Sequence, residues 1–526
     1  MKKILSKFNY YINLYKVDHK EKLFLTFVKK NFRLKKIKNY KELILIENNP
    51  TRASHISVLY LLNSLIKKYE CKVLIYDFNI IYNLKSKILN IFNLFSKTFY
   101  YQLLSSIANI EYLKSRVYLN QSESSIILKK IIKKIKNKKD FYNLNIYNIN
   151  FGHILYDHYL KKYRVPTVEL DSKEFNIYLE DSIKLIIYWK NFFESNSVKS
   201  VIITHGTYWS GIVSKFAIKK NIPVYTTSIE DTFYLSKKNN IPYKKFVYHK
   251  KNFKTLFTSR EKIKLLKLSK KNLEKRMKGN IGVDMRYSKK SAWSTKNDEK
   301  VLKKTKKIKV LIAAHCFFDS PNGLGDNLFI DFYEWISFLA SVSHKTDYDW
   351  YIKTHPDYLP GNMEIINNLS KKFKNITILD SSVSHHSIIK DKIDFVLTVY
   401  GSVSFEYAYN KKYVINASLN NPSINYKYNF NPSSIKIYRD MLMKLNKLRL
   451  NIDKEEVLEC YLMHRILRAN NIYFQDLDDF KNKFDKSINN LDTNFYEYAI
   501  KDYNYEHHLN IMKKFDNFIN NKNYYL

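Results

Sequence analysis

Short apolar runs alternate with helical segments along most of this chain. In its second half these runs cover residues 309–314, 349–353, 376–379, 394–399 and 413–417, with helical periodicity between them. Strands and helices that alternate at this spacing are typical of parallel sheets covered by helices on both faces. The pattern therefore predicts a doubly wound α/β unit in this half.

The first half of the chain carries the same alternation. Residues 42–47 and 72–77 are predicted strands on either side of a helix over 56–69, which makes a βαβ unit. A second α/β unit is therefore expected here. Its further predicted elements are a basic helical stretch at 80–140, an element starting at 152–157, a long helix at 175–195, strands at 198–204 and 222–227, and a helix between them to about Lys220.

The length of 526 residues exceeds what one ordinary hydrophobic core organises, so two domains are expected. The predicted fold class is α/β, with two Rossmann-like doubly wound domains facing a cleft and a helical C-terminal segment. The predicted boundaries are an N-terminal α/β domain at 1–250, a basic connection at 251–308, a second α/β domain at 309–435 and the helical segment at 436–526.

The net charge of +41, carried mostly by lysine, admits three kinds of partner: nucleic acid, an anionic membrane surface or an acidic substrate. The lysines are spread along the chain, and no nucleic-acid-binding signature occurs, so no nucleic-acid partner is expected. Codon bias from an AT-rich genome, together with peripheral attachment to an anionic membrane surface, is the preferred explanation.

The three cysteines, Cys71, Cys316 and Cys460, are odd in number and far apart, which indicates a reducing compartment. The N-terminal stretch is basic but lacks the apolar core of a signal peptide. The chain contains no run of about 18 apolar residues, so no membrane-spanning helix is predicted. The expected location is the cytoplasm, with peripheral attachment to the inner face of the cell membrane kept open.

Polar side chains gather where the predicted strands end. In open α/β sheets, ligands bind at the carboxyl ends of the strands, so this placement favours an enzyme with its site in the cleft. The residues concerned are His205, Glu230 and Asp231 in the first half, and His315, Asp319, His355, Ser402 and Glu406 in the second.

The strand at 394–399 runs into a small, hydroxyl-rich helix start that contains Gly401, Ser402 and Ser404. Free backbone N–H groups and the helix dipole favour a phosphate at such a start. Glu406, one turn further on, is a candidate acceptor for ribose hydroxyls. The alternative is a helix with an ordinary serine cap.

Two other strand ends offer groups that bind phosphate. Lys353 and His355 follow the strand at 349–353, and Pro356 stiffens the loop after them. His315 follows the strand at 309–314. The Gly323-x-Gly325 pair further along lacks the third glycine of a dinucleotide fingerprint, so it does not indicate such a cofactor.

Candidate general bases lie in the first half. His205 with Glu230 and Asp231 occupies neighbouring predicted strand ends, and Asp157 with His153 is a further candidate of the same kind. The competing interpretations are a hydrogen-bonded histidine and a solvated acidic turn. His-His pairs in the chain have no second pair at zinc spacing, and no metal site is predicted.

The motif of Lys353, His355 and Pro356, followed by Tyr400-Gly401-Ser402 and Glu406, resembles the C-terminal domain of GT-B glycosyltransferases of the bacterial capsule polysaccharide class. That class includes Kdo and sialic acid polymer transferases. The similar pattern also covers 152–157, 205–231 and 310–357, and so spans about residues 145–420.

The resemblance implies a metal-independent transfer of sugar from a CMP-, UDP- or GDP-linked donor to a growing surface polysaccharide or lipid-linked acceptor, with no cofactor. It implies that His355, Pro356, Ser402 and Ser404 hold the donor phosphate. It also implies an acidic base, which falls on Glu230 or Asp231. The capsule sialyltransferases have a glycine after that acidic pair, whereas this chain has Thr232.

Three other functions stay open. A nucleotide-sugar 2-epimerase uses the same fold but no acceptor. A polyol-phosphate transferase also pairs α/β domains with strand-end histidines. A basic scaffold would bind a membrane or nucleic acid without chemistry.

Overall fold

In the computed structural model, the structure of the protein is described for residues 17–32, 39–49, 51–77, 98–113, 121–229, 231–240, 244–281, 283, 290–293, 300–357, 359–466, 472–475 and 493–526. The strands within these residues are β1 Asn39–Glu47, β2 Cys71–Tyr76, β3 Ile110–Tyr112, β4 Asn145–Ile146, β5 Ile149–Asn150, β6 Ser197–Ile203, β7 Val224–Thr227, β8 Thr232–Leu235, β9 Lys309–Ala313, β10 Asp349–Lys353, β11 Ile376–Leu379, β12 Phe395–Thr398 and β13 Tyr413–Asn416.

Helices fill the connections between these strands. In chain order they are α1 His19–Asn31, α2 His55–Tyr69, α3 Phe99–Ser105, α4 Gln121–Lys134, α5 Lys138–Tyr142, α6 Gly152–Tyr163, α7 Lys173–Ser195, α8 Ser210–Lys219, α9 His249–Leu256, α10 Ser259–Met277, α11 Phe332–Ser343, α12 Asn362–Lys372, α13 His385–Lys390, α14 Val403–Tyr409, α15 Ile435–Leu442, α16 Lys454–Tyr461, α17 Asn494–Lys501 and α18 Tyr505–Asn521.

The first sheet has the strand order β3-β2-β1-β6-β7-β8, in which only β8 runs antiparallel to its neighbour. Both faces of its central strand are buried: Leu43 and Leu45 join one apolar cluster, while Ile44 and Ile46 join another on the opposite face. A strand covered on both sides explains the unbroken apolar run at this position.

The second sheet has the order β11-β10-β9-β12-β13 and is parallel throughout. Val310 and Ile312 of β9 face one cluster, and Leu311 faces another. Both sheets thus have the Rossmann arrangement, in which the chain starts centrally, moves to one edge and then crosses to the other side. The predicted class of two doubly wound α/β units is confirmed.

Parts of the secondary structure differ from the prediction. The stretch 80–140, predicted as helical, contains the edge strand β3. Strand β8, which follows the turn after β7, was not predicted. Both strands have three or four residues, which is too short for periodicity to separate them from loop. Residues 152–157 begin a helix, α6.

The C-terminal segment contacts both sheets. Tyr438 of α15 accepts a hydrogen bond from the indole of Trp335 at 3.1 Å, beside the second sheet. The last two helices return to the first sheet, where Tyr496 lies 2.7 Å from His55 Nδ1. Among the helices that the structure describes, none is long and apolar enough to cross a bilayer.

The stretch between the two sheets is folded rather than extended. Its helix α10 begins at a capping box formed by Thr258 and Glu261. Leu273 and Met277 on its inner face join the cluster that covers the second sheet. The last turn of α10 is thereby fixed against helix α14.

Candidate functional site

Each sheet reverses its strand order at one place, between β1 and β6 in the first and between β9 and β12 in the second. The loops diverge there and open a crevice beyond the carboxyl ends of the strands, where ligands of this architecture bind. Thr204 and His205 follow β6 at the first crevice. Ala314 and His315 follow β9 at the second.

A pocket of about 230 Å³, here called the strand-end pocket, occupies the crevice of the second sheet. It lies beyond β9, β10 and β12, which is where the sequence placed the phosphate-binding groups. The lining residues that bear on its chemistry are His315, Lys353, His355, His385, Gly401 and Ser402.

Lys353 ends β10 and is buried. Its ammonium group donates hydrogen bonds to the carbonyl oxygens of Thr354 at 3.2 Å and Ser381 at 3.0 Å. Burial lowers the pKa of Lys353 to about 8, because the carbonyl groups replace only part of its hydration. The pocket therefore holds a cation that an anionic ligand would stabilise.

His355 is oriented by the turn that follows it. Its Nδ1 accepts a hydrogen bond from the Asp357 backbone N–H at 3.0 Å. The ring proton of the neutral form is therefore on Nε2, which makes Nε2 a donor. Burial lowers the pKa of His355, and the Glu406 carboxylate partly offsets this. Pro356 lies in the same turn and does not line the pocket.

His315 has a structural role at the base of the pocket. Its Nε2 accepts the Val399 N–H at 3.2 Å and lies 3.0 Å from Thr398 Oγ1, while its ring stacks on Phe332. Burial lowers its pKa to about 4, so the ring is neutral. It joins the end of β9 to the end of β12.

Gly401 allows the chain after β12 to turn tightly back. Its N–H donates to Thr398 Oγ1 at 3.1 Å, and a Cβ at this position would lie 2.7 Å from that oxygen. A larger residue would displace Thr398, which is also bonded to His315. Glycine is therefore required by close approach rather than by the helix that follows.

The three polar residues after Gly401 diverge. Ser402 faces the pocket, and its hydroxyl accepts a hydrogen bond from Arg276 Nη2 at 3.2 Å. Ser404 is fully buried, and its hydroxyl has no hydrogen-bond partner among the described residues. Glu406 is also buried, with one oxygen 2.6 Å from Arg276 Nε and the other 3.1 Å from Trp293 Nε1.

These positions correct the sequence interpretation of the motif. Neither Ser404 nor Glu406 lines the strand-end pocket, so in this arrangement the first does not reach a phosphate and the second does not reach a ribose. The serine turns inward because the short helix α14 rotates it toward the core. The glutamate instead forms the ion pair that fixes α10 against α14.

Arg276 was missed by sequence reasoning. It lies in the stretch predicted to be a basic connection, 126 residues before the serine that it contacts. The available signal was the helical spacing, which places Ser269, Leu273 and Arg276 on one face of a helix. In the structure the first two are buried. Nothing local marks which helix that face would meet.

A second cavity, of about 490 Å³, separates the first sheet from the loop that follows β9. It is called the interdomain cleft here. The first sheet contributes residues from α6, α8 and the loop after β6, and the second contributes the loop at 322–326. The lining residues that bear on its chemistry are His153, Asp157, His205, Lys215, Asn322 and Asp326.

Asp157 lies in the middle of α6 and is buried. Burial raises its pKa to about 8, although hydrogen bonds from Asn322 favour the ionised form. His153, one turn earlier, lies 3.2 Å from Asn150 Oδ1, and burial lowers its pKa to about 3. These two predicted residues therefore occur together in the cleft, on a helix rather than at a strand end.

His205 is exposed to the cleft directly after β6. Sequence reasoning missed the buried carboxylate behind it. Glu47, the last residue of β1, accepts hydrogen bonds from Thr204 N at 2.7 Å, Thr204 Oγ1 at 2.8 Å and Ser210 Oγ at 2.9 Å. Burial raises the pKa of Glu47. The contacts hold the loop that carries His205.

The acidic pair after β7 is placed differently. Asp231 is buried in the turn before β8, where its N–H donates to Ser228 Oγ at 3.1 Å. Burial is the main cause that raises the pKa of Tyr473, and the Asp231 carboxylate raises it further. The Asp231 side chain is therefore near the C-terminal segment. Asp231 does not line the interdomain cleft. Glu230 lies outside the described residues.

No protein-family model matches the chain, and no curated protein is similar to it in sequence. Among solved structures, it is similar to KpsC, the beta Kdo 2,4 transferase of Thermosulfurimonas dismutans, at 13% identity over 50% of this chain and 79% of that one, with a TM-score of 0.31. It is also similar to a UDP-GlcNAc 2-epimerase of Neisseria meningitidis, at 12% identity over 80% and 97% of the chains and a TM-score of 0.23.

A glycosyltransferase of Rickettsia africae is a third similar structure, at 12% identity over 91% of this chain and 99% of that one, with a TM-score of 0.23. These TM-scores are too low for any of the three to define the fold or the activity of this chain. The fold rests on the two strand orders.

Proposed function

We propose that the protein is a GT-B-type glycosyltransferase that moves a sugar from a nucleotide-sugar donor to a surface polysaccharide or lipid-linked acceptor. The observation that carries the proposal is the convergence of Lys353, His355 and Ser402 on one pocket at the strand ends of the second sheet. An ammonium, an imidazole N–H and a hydroxyl are suited to a phosphate. The sequence resemblance described above supports the same assignment.

In this proposal, the unit at 309–435 binds the donor and the unit at 1–250 binds the acceptor. The segments at 251–308 and 436–526 stabilise the two units. The loop after β9 contacts both, since Cys316 lines the strand-end pocket and Asn322 lines the interdomain cleft. A sugar attached to a phosphate in the pocket would extend toward the cleft. Closing the two units would exclude water from it.

The reaction forms a bond from an acceptor oxygen to the anomeric carbon and breaks the bond from that carbon to the donor phosphate. Lys353 and His355 would stabilise the charge that develops on the leaving phosphate. The acceptor proton would pass to a base in the cleft, for which Asp157 and His205 are the candidates. The carboxyl of Asp157, with a pKa of about 8, is matched to proton transfer near neutral pH.

The testing experiment incubates the purified chain with CMP-, UDP- and GDP-linked sugars and analyses the products. Slow release of free nucleotide, lost in His355→Ala, is the expected result. A changed sugar that is still attached to its nucleotide would instead indicate the epimerase. If no nucleotide sugar binds or reacts, the proposal is wrong.

Attachment to an anionic membrane surface is part of the same proposal. The net charge of +41 supports it, because lysines near anionic lipid each contribute about 1 kcal/mol. Sedimentation with phosphatidylglycerol vesicles, but not with neutral vesicles, is expected. Binding to nucleic acid without binding to vesicles would contradict it.

A further inference from the structure

Helix α8 carries a lysine into the wall of the interdomain cleft. Lys215 lies on the cleft side of this helix, beside Ser214 and Ile218, and is partly buried. Within the described part of the chain, no hydrogen bond or ion pair holds its ammonium group. In contrast, Lys161 on the neighbouring helix α6 pairs with Asp319 at 2.6 Å.

Even a partly buried ammonium group without a counter-charge is costly. Removing it from water is compensated only when a carboxylate or several acceptors replace the lost hydration. Burial lowers the pKa of Lys215 to about 8, and no charge on the described residues offsets it. The position is one that an anion would stabilise.

Other residues that line the cleft around Lys215 also add positive charge. Lys219 and Lys237 also line the cleft, and Asp157 and Asp326 are the carboxylates among its described lining residues. Asp157 is already bonded to Asn322, and its pKa of about 8 reduces its negative charge at neutral pH. The balance in the cleft is therefore positive, although carboxylates are present.

We propose that the interdomain cleft binds an anionic group through Lys215, and that this group is a carboxylate or phosphate on the acceptor sugar. The binding site stands on the geometry of the cleft. Its identification as an acceptor site rests on the proposed function. The specificity is for charge at one position on the sugar rather than for the nucleotide, whose phosphate belongs to the strand-end pocket.

Calorimetric titration with matched sugars tests the site. The probes are glucuronate, which carries a carboxylate, glucose 6-phosphate, which carries a phosphate, and neutral glucose. We expect glucuronate or glucose 6-phosphate to bind and glucose not to bind. The arm that binds identifies the anion. Equal heats for charged and neutral sugars, or no binding of any of them, would overturn the proposal.

Two substitutions, one in α8 and one directly after it, localise the binding. Lys215→Met is expected to weaken binding of the anionic sugar roughly tenfold, the loss of one charge-assisted hydrogen bond. Lys220→Met is the matched control, because Lys220 is an exposed residue that follows α8 and does not line the cleft. Equal affinity of Lys215→Met and the wild type would contradict the assignment.

Thermal unfolding without ligand shows whether Lys215→Met changes the stability of the folded protein. Because Lys215 is a partly buried cation with no partner among the described residues, Lys215→Met is expected to raise Tm, whereas loss of a merely structural contact would lower it. His355→Ala separates the two sites: it should abolish nucleotide binding and leave binding of the anionic sugar intact. If the protein binds the anionic sugar but does not use any nucleotide sugar, the proposed function is wrong, whereas the anion site at Lys215 is supported.

Discussion

Asp157 in helix α6 accepts two hydrogen bonds from a single residue across the cleft, Asn322. The Asn322 side-chain amide donates at 2.8 Å, and its backbone N–H donates at 3.1 Å. A buried carboxylate from the first sheet thus holds the loop that follows the central strand of the second. The same loop borders both cavities, so this contact couples their positions.

Replacing that carboxylate by an amide should alter the pH dependence of stability. Burial raises the pKa of Asp157 from 3.8 to about 8, so the folded protein binds the proton more tightly than the unfolded chain. The resulting stability is fully present below about 3.8 and is lost as pH rises through about 8. We expect Asp157→Asn to become more stable relative to wild type as pH rises from 5 to 8, by on the order of a few kcal/mol.

The measurement is Tm of both proteins across this range of pH. A constant difference between them would show that the proton on Asp157 is not linked to folding. The same substitution should lower glycosyl transfer if Asp157 is the base, and leave it unchanged if His205 is.

Two glycines offer a matched pair for the turn after β12. An added Cβ at Gly401 would lie 2.7 Å from Thr398 Oγ1, whereas at Gly206 the nearest atoms are 3.8 Å away. We expect Gly401→Ala to cost about 1–3 kcal/mol and to weaken nucleotide binding, as overpacked positions do. Gly206→Ala should change neither quantity. Equal effects in denaturant titrations would contradict the steric argument.

Much of the fold was predictable because its strands are buried on both faces. The run at 309–314 has no polar alternation, and only a central parallel strand requires that pattern. The short edge strands β3 and β8 have no such signal. Their conformation depends on neighbours that are far away in sequence.

The candidate site was predictable as far as the strand ends and no further. His355 and Ser402 line the strand-end pocket, and their position at strand ends was predictable because the carboxyl end of a strand follows from its direction alone. The inward rotation of Glu406 depends on the backbone after Gly401. Its partner Arg276 is 130 residues away. No local pattern encodes either fact.

Ser402, directly before α14, and Ser404, in its first turn, test the revised interpretation of the motif. Ser402→Ala should weaken nucleotide binding by up to roughly tenfold, because a hydroxyl that faces the phosphate is lost. Ser404→Ala should leave binding unchanged, and it should not lower Tm, because its buried hydroxyl has no hydrogen-bond partner in the described part of the chain. Titration with the preferred nucleotide and thermal unfolding measure both. Weaker binding in Ser404→Ala would restore the original assignment.

The ion pair of Arg276 and Glu406 is expected to stabilise the junction of α10 and α14. Its side chains are 12% and 2% exposed. Removing the arginine leaves a buried carboxylate that, among the described residues, keeps the hydrogen bond from Trp293. We expect Arg276→Met to cost about 3–5 kcal/mol in the free energy of unfolding. Arg276→Met combined with Glu406→Gln should recover part of this loss, since no charge then stays buried.

The matched control is the pair of Lys190 and Glu194 on α7, with side chains 28% and 52% exposed. Lys190→Met should change the free energy of unfolding by less than about 1 kcal/mol, because solvent screens such pairs. Urea titrations of the four proteins give the comparison. If Arg276→Met costs no more than Lys190→Met, or if the double variant is no more stable than Arg276→Met, the buried carboxylate is not what the arginine stabilises.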